Sequence, residues 1–237
     1  MLIFLDLETT GVSAEDFICS VALLHEKTCL HSFVNEAKKI SSEASSKHNI
    51  TNEMIASAPI FKKSEIAQYL EQYNKQEYTL IVHNLPFIME KLQMSSFVWQ
   101  GDVIDTKRVI RHLMQECDYF SLEYLRYELK LYKNEPKIFQ DYGIKDAICT
   151  QKALQDVVVI KSLYQYLLDY ASLEKMKSLS FEPVLIEKLP FGKYKGHYIE
   201  EVFLEDRAYL VWLLQNSVSL DEDLEYSLQY YLEKESV

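Results

Sequence analysis

The sequence predicts an α/β fold. Strand-like runs crowd the first forty residues, and from residue 61 onward helix-period segments alternate with further strand-like runs. The chain has 237 residues, 48% of them hydrophobic, enough for one large domain or one domain plus a small one. "LIFLDLE" alternates and is rich in β-formers, so it reads as a strand; "DFICSVALLHE" and "CLHSFVNE" read as its partners in an antiparallel meander. "FKKSEIAQYLEQYNK" has the apolar spacing of an amphipathic helix, "YTLIVHN" is a strand running into a loop, and "IMEKLQM" begins a helix. "GDVIDTKRVIRHLM" reads as a short strand and a helix, with Asp105 as helix cap, and "SLEYLRYELKL" as another helix. The stretch 143–179 is one long helix, or two with a break. The pattern stops around 178–187, and a second unit of about fifty residues follows. The expected organisation is a domain over 1–177, a linker over 178–187 and a small C-terminal α+β module over 188–237.

Charge is uneven. The net charge is -11, and residues 198–237 hold ten acids against two bases, so the main body is near neutral. No polybasic arm for nucleic acid is present. A protein that grips a chain end through metal ions needs few bases, so nucleic acid stays open as a substrate. The four cysteines, Cys19, Cys29, Cys117 and Cys149, have no metal-type spacing and read as packing residues in a reducing compartment. Asp6 interrupts the first apolar stretch, which argues against a signal peptide, and no apolar run approaches the ~20 residues that span a bilayer. The expected location is cytoplasmic.

Asp6 and Glu8 are two apart on a predicted strand, so both side chains leave the same face. Two carboxylates there repel each other, and a divalent cation between them relieves that repulsion. Hard oxygen ligands suit magnesium or manganese. "TTG" follows at once, a turn that offers backbone N–H groups beside the acids. Two solvated acids at a strand edge are the alternative.

Five stretches, in order, carry a resemblance: "FLDLETTG", "KHNITNEMIASAPIF", "IVHNLPF", "VIDTKRVIRHL" and "YGIKDAICTQKAL". Together they resemble the motifs of the DnaQ-like (DEDD) 3′-5′ exonucleases over roughly residues 1–165. The resemblance implies a ribonuclease H-like fold, a mixed five-stranded sheet flanked by helices, and phosphodiester hydrolysis assisted by two metal ions, magnesium or manganese. It implies metal ligands at Asp6, Glu8 and Asp146. It places Thr9, Thr10, Gly11, His48, His83, Asn84 and Phe87 on the substrate side. Bracing of a loop is an equal reading for Asn84, and a plain loop role an alternative for His48. Two departures stand out. Ile88 occupies the place of the second-motif aspartate, and Glu90, two residues on, points away on a helix. In the epsilon-like branch a histidine precedes the third-motif aspartate by five residues; five before Asp146 stands Asp141. Tyr142 has the Y-x-x-x-D spacing of the tyrosine branch, and it either orients a water there or simply packs.

The second unit carries "KLPFGKYKGHYIEEVF", which is similar to the C-terminal module of exodeoxyribonuclease X-like proteins. Gly192 and Gly196 bracket Lys193, Tyr194 and Lys195 as a tight hairpin would. The two lysines suit phosphate, while Phe191 and Tyr194 read more readily as packing on Trp212. The expected activity is metal-dependent 3′-5′ cleavage of nucleic-acid ends, single-stranded DNA in preference to RNA, weakened by Ile88. The alternative is a non-catalytic protein that keeps the frame to bind a nucleic-acid end or a replication or repair partner.

Overall fold

A computed structural model describes residues 1–144, 151–216 and 220–233. The chain divides into two compact units, one of residues 1–109 and 119–180, the other of residues 110–118 and 181–237.

The first unit is built on a five-stranded sheet. The strands are β1 (Leu2–Thr9), β2 (Ile18–His25), β3 (Thr28–Phe33), β4 (Thr79–Val82) and β5 (Asp102–Asp105), in the order β3-β2-β1-β4-β5. β1 to β3 pair antiparallel as the predicted meander, and β4 and β5 add parallel to β1. Short helices α1 (Ser42–His48) and α2 (Asn52–Ile55) follow β3, α3 (Glu65–Tyr73) leads to β4, and α4 (Leu85–Met94) joins β4 to β5. α5 (Thr106–Leu113) starts in the first unit and ends in the second. α6 (Leu122–Glu128), α7 (Glu135–Asp141), α8 (Lys152–Leu167) and α9 (Leu173–Leu179) complete the first unit. The stretch expected as one long helix, or as two with a break, is two helices, α8 and α9, over its described part; α7 had no sequence assignment.

Alternation along β1 sorts its side chains. Ile3, Leu5 and Leu7 enter a buried cluster with Phe61, Leu70, Leu80, Leu85 and Ile88. Phe4, Asp6 and Glu8 are out of phase with these and take the opposite face. There α8 packs: Tyr164 meets the Phe4 ring edge-on at 5.5 Å between centroids, and Lys161 Nζ lies 4.5 Å from the centre of the same ring. α8 is buried along much of its length through Ala153, Leu154, Val157, Val158, Ile160 and Leu163. This apolar packing is what sets a helix across the acid-bearing face of β1.

The second unit is a helical hairpin of α10 (Ile199–Asn216) and α11 (Glu222–Glu233) around Leu189, Ile199, Val202, Leu210, Leu213, Leu224 and Leu228. α10 breaks at Asp206, which has φ -147° and ψ 61°. Its Oδ1 accepts the Tyr209 N–H at 3.2 Å, as an N-cap for the second half of the helix. Residues 110–118, read from sequence as part of the first domain, belong here. Arg111 pairs with Asp223 at 2.7 Å, and Gln115 donates to the Leu185 carbonyl at 2.7 Å. Gly192 and Gly196 both have φ +83°, and one antiparallel bridge, Lys188 with Tyr198, closes the loop between them. A side chain at Gly192 would meet the Tyr209 hydroxyl, so that turn requires glycine on two counts. Among the described residues no helix is long and apolar enough to cross a membrane.

Candidate active site

The first two acids sit where the strand alternation puts them, Asp6 buried and Glu8 partly so, on the α8 face of β1. The third is Asp156, one turn into α8. Ligand oxygens of Asp6, Glu8 and Asp156 all lie within 4.8 Å of one another. Asp146, the residue expected in this role, lies outside the described residues. Asp156 carried a usable signal: it is a lone acid inside the apolar run "ALQDVVVI", and a buried carboxylate needs a reason. The residue five before it is Gln151, at the position where the epsilon-like branch has histidine.

The electrostatics of the group are those of crowded carboxylates. Burial, then the charges of Asp156 and Glu8, hold the Asp6 carboxyl well above the usual carboxylate range. Burial and the Asp156 charge push Glu8 up to about 7. Asp156 is raised too, chiefly by burial, and restrained by Lys152. Lys152 stands one helical turn before Asp156, ion-pairs with it, and reaches Glu123 on α6 at 2.9 Å. Burial opposes the Lys152 charge, but the two carboxylates outweigh it and raise its pKa. Beside Lys152 and Asp156 opens a cavity of about 270 Å³, lined also by Glu123, Arg126, Tyr127 and Phe139. Three hard oxygen donors at this separation, each carboxyl disfavouring its own charge until a cation arrives, fit a hard divalent cation.

Several residues expected on the substrate side have structural partners within the chain. His48 is buried: its Nδ1 accepts the Ile50 N–H at 3.0 Å, so Nε2–H donates to the Thr9 carbonyl at 3.2 Å. It thereby braces the end of β1 next to Glu8. Burial keeps this ring neutral by lowering its pKa. His83 donates Nε2–H to the Phe120 carbonyl at 2.7 Å and has Nδ1 2.9 Å from the Thr106 hydroxyl; burial lowers its pKa to about 4. Both ring nitrogens are thus committed. Asn84 takes φ 78°, a left-handed turn that asparagine tolerates, and its N–H and that of Leu85 donate to Asp105, each at 2.9 Å. Asp105 also accepts the Lys107 N–H at 3.0 Å, so it caps α5 as expected and α4 in addition. Phe87 packs against the main core.

The "TTG" turn is tied down by Asp16, a residue with no motif to mark it. Thr9 Oγ1 donates to the Gly11 carbonyl, and Thr10 Oγ1 donates to Asp16 at 2.9 Å. Burial would raise the Asp16 carboxyl, but bonds from Ser13 and Thr10 pull it down to about 2. A side chain at Gly11 would collide with this carboxylate. Tyr142 closes α7 against Lys161, whose Nζ is 5.4 Å from the ring centre, with Asp141 and Cys29 as its charged or polar neighbours. Ile88 is fully inside the apolar cluster at 2% exposure, and Glu90 pairs with buried Lys91 at 2.8 Å, so no acid reaches the site from α4. In the second unit Lys193 is already neutralised by Asp206 at 3.0 Å and bonded to the Tyr194 hydroxyl at 2.9 Å, whereas Lys195 is exposed. Tyr194 packs edge-on to Tyr209, which in turn stacks on Trp212.

Comparison with known proteins agrees with this geometry. The profile described as Exonuclease matches residues 3–154, which is more than half of the chain. This chain belongs to the Exonuclease family. Membership carries the reaction class: the protein is a hydrolytic exonuclease of the 3′-5′ type, in a family that generally uses divalent metals. A second profile, Exodeoxyribonuclease X-like C-terminal, matches residues 189–218, the loop of Gly192 and Gly196 and all of α10. Exodeoxyribonuclease 10 of Escherichia coli strain K12 is 26% identical over 236 residues, covering 98% of this chain and 99% of that protein. Among solved structures, exonuclease X in complex with 5′ overhanging duplex DNA superposes with a TM-score of 0.52 at 19% identity, over 76% of this chain and 99% of that one. The nuclease domain of 3′hExo, a DEDDh family member bound to rAMP, gives 0.51 at 15% identity, over 71% and 91%. These likenesses show the fold: a five-stranded mixed sheet flanked by helices, as in ribonuclease H-like exonucleases.

Proposed function

We propose that this chain removes nucleotides from the 3′ ends of DNA, and that Asp6, Glu8 and Asp156 hold the magnesium or manganese ion the reaction needs. The convergence of these three carboxyl oxygens within 4.8 Å on one sheet face carries the reading. The ion, when bound, supplies charge stabilisation at the scissile phosphate and an acidified water. The chain's own part is to place three ligands from two rigid elements, strand and helix, and to keep them partly buried. His48 and Asp16 hold the turn after Glu8, so the ligands do not drift. The preference for DNA draws on the 26% identity to exodeoxyribonuclease 10 along nearly the whole chain. The exonuclease X complex names a 5′ overhanging duplex, so recessed as well as single-stranded 3′ ends are proposed substrates. Lys195 of the second unit is the base proposed to meet phosphate.

Ile88 in place of a fourth acid reduces the rate rather than removing it, since groups that only orient the ligand shell typically change activity ~10–100-fold. The test uses purified protein with DNA labelled at the 5′ end, single-stranded or with a recessed 3′ end, in manganese, magnesium or chelator. Stepwise shortening that needs the cation, and is lost in Asp156→Asn, supports the proposal. Strand binding without shortening would leave the binding-protein alternative in its place. Shortening in chelator would rule out the metal role.

A further inference from the structure

We propose that Lys152 is a tethered counter-ion of the acid group that competes with the divalent cation for Asp156 and withdraws to Glu123 when the cation enters. The inference rests on the metal-dependent reading above. Three carboxylates within 4.8 Å carry more negative charge than a single base balances, and among the described residues Lys152 is the base that ion-pairs with one of them. Its ammonium ion-pairs with Asp156 from one turn earlier on α8 and touches Glu123 on α6 at 2.9 Å. Its side chain is about one-quarter exposed, at 23%, and Glu123 is open to solvent at 63%. The lysine therefore has an inner partner and an outer one within a single side chain's reach.

Among the described residues Arg126 is also nearby, and it cannot take this role. Arg126 has its guanidinium fork on Glu135, through Nε at 2.6 Å and Nη2 at 2.8 Å. Ile88 strengthens the effect. With apolar packing where a fourth acid would stand, three carboxylates attract the cation, and one lysine on Asp156 offsets a larger share of that attraction. A +1 charge about 4 Å from a divalent ion opposes its binding strongly even when the interaction is well screened. The same lysine holds the acids together before the ion arrives, which keeps the ligands placed at the cost of affinity.

The test is manganese binding to the full chain, read from the loss of the free-ion electron paramagnetic resonance signal, for the natural protein and for Lys152→Met, which keeps the stem and removes the charge. Lys152→Met should bind manganese at least ~10-fold tighter. Lys152→Arg, which keeps the charge, should stay within about threefold of the natural protein. Equal affinity in Lys152→Met and the natural protein overturns the competition and leaves the metal site standing. No manganese bound to either overturns both this inference and the metal reading. Because Lys152→Met could misfold from unbalanced acids, acetylation of Lys152 in the natural protein, followed by mass spectrometry, gives an independent measure. Manganese should speed that acetylation several-fold as the ammonium leaves Asp156; an unchanged rate would overturn the displacement.

Discussion

Glu8→Gln should stabilise the metal-free protein at pH 8 while removing its response to manganese. Burial and the Asp156 charge hold the Glu8 carboxyl up to about 7, against an ordinary value of 4.5. Below about pH 4.5 the group is protonated in both folded and unfolded chains, and folding carries no penalty from it. As pH rises from 4.5 to 7 the unfolded chain ionises first, so the folded state loses stability; above 7 the loss is complete. The gap between the two values, at about 1.4 kcal/mol per pH unit, corresponds to about 3 kcal/mol, and the partial exposure of Glu8 reduces it to about 2 kcal/mol. In a chain of this length each kcal/mol moves the melting temperature by about 2–4 °C, so the amide should raise it by about 4–8 °C at pH 8 and by little at pH 4.5. The assay is thermal melting from pH 4.5 to 8.5 in chelator and in manganese. In manganese the order should invert, because the natural site gains a ligand bound only to the folded state and the amide site gains much less. Parallel melting curves for the two proteins across pH, or a Glu8→Gln protein that melts lower at pH 8 in chelator, would refute the claim that Glu8 sits in a strained acid group.

Three further outcomes follow from the same geometry. Asp156→Asn should cut release of nucleotides from 5′-labelled DNA by more than ~100-fold, with the melting temperature in chelator unchanged or higher, because one of three crowded charges is gone. Ile88→Asp should destabilise the metal-free protein by about 3 kcal/mol in urea titration, since the new carboxylate enters the buried apolar cluster that also holds Leu5, Leu7 and Leu85. Lys195→Ala should weaken binding to a labelled single strand and flatten its salt dependence in fluorescence anisotropy, while Lys193→Ala should change both less, because Lys193 is already paired with Asp206.

Several parts of the fold were readable before any coordinates. The alternation in "LIFLDLE" put Asp6 and Glu8 on one face, because a strand has a period of two whatever it packs against. The meander and the alternating helices and strands after it follow from local periodicity in the same way. Asp105 as a helix cap was readable too, from its place at the junction of strand and helix. The partners of His83 and His48 were not readable in this way: it is the carbonyls of Phe120 and Thr9, far away along the chain, that accept from their rings. Lys193 likewise looked available for phosphate until Asp206, thirteen residues on, proved to be its partner.

The sequence by itself determined the sheet, the first two acids of the site and the absence of an acid at position 88, since each depends on residue identity and short-range period. Only the tertiary structure decided which helical carboxylate meets those acids. That choice is made where Phe4 locks against Tyr164 and the apolar face of α8 settles on β1, which brings Asp156 to Asp6 and Glu8 and carries Lys152 in with it. Packing of a buried helix is summed over many contacts along its length, so no short motif can encode which of its turns will lie over a given pair of strand residues.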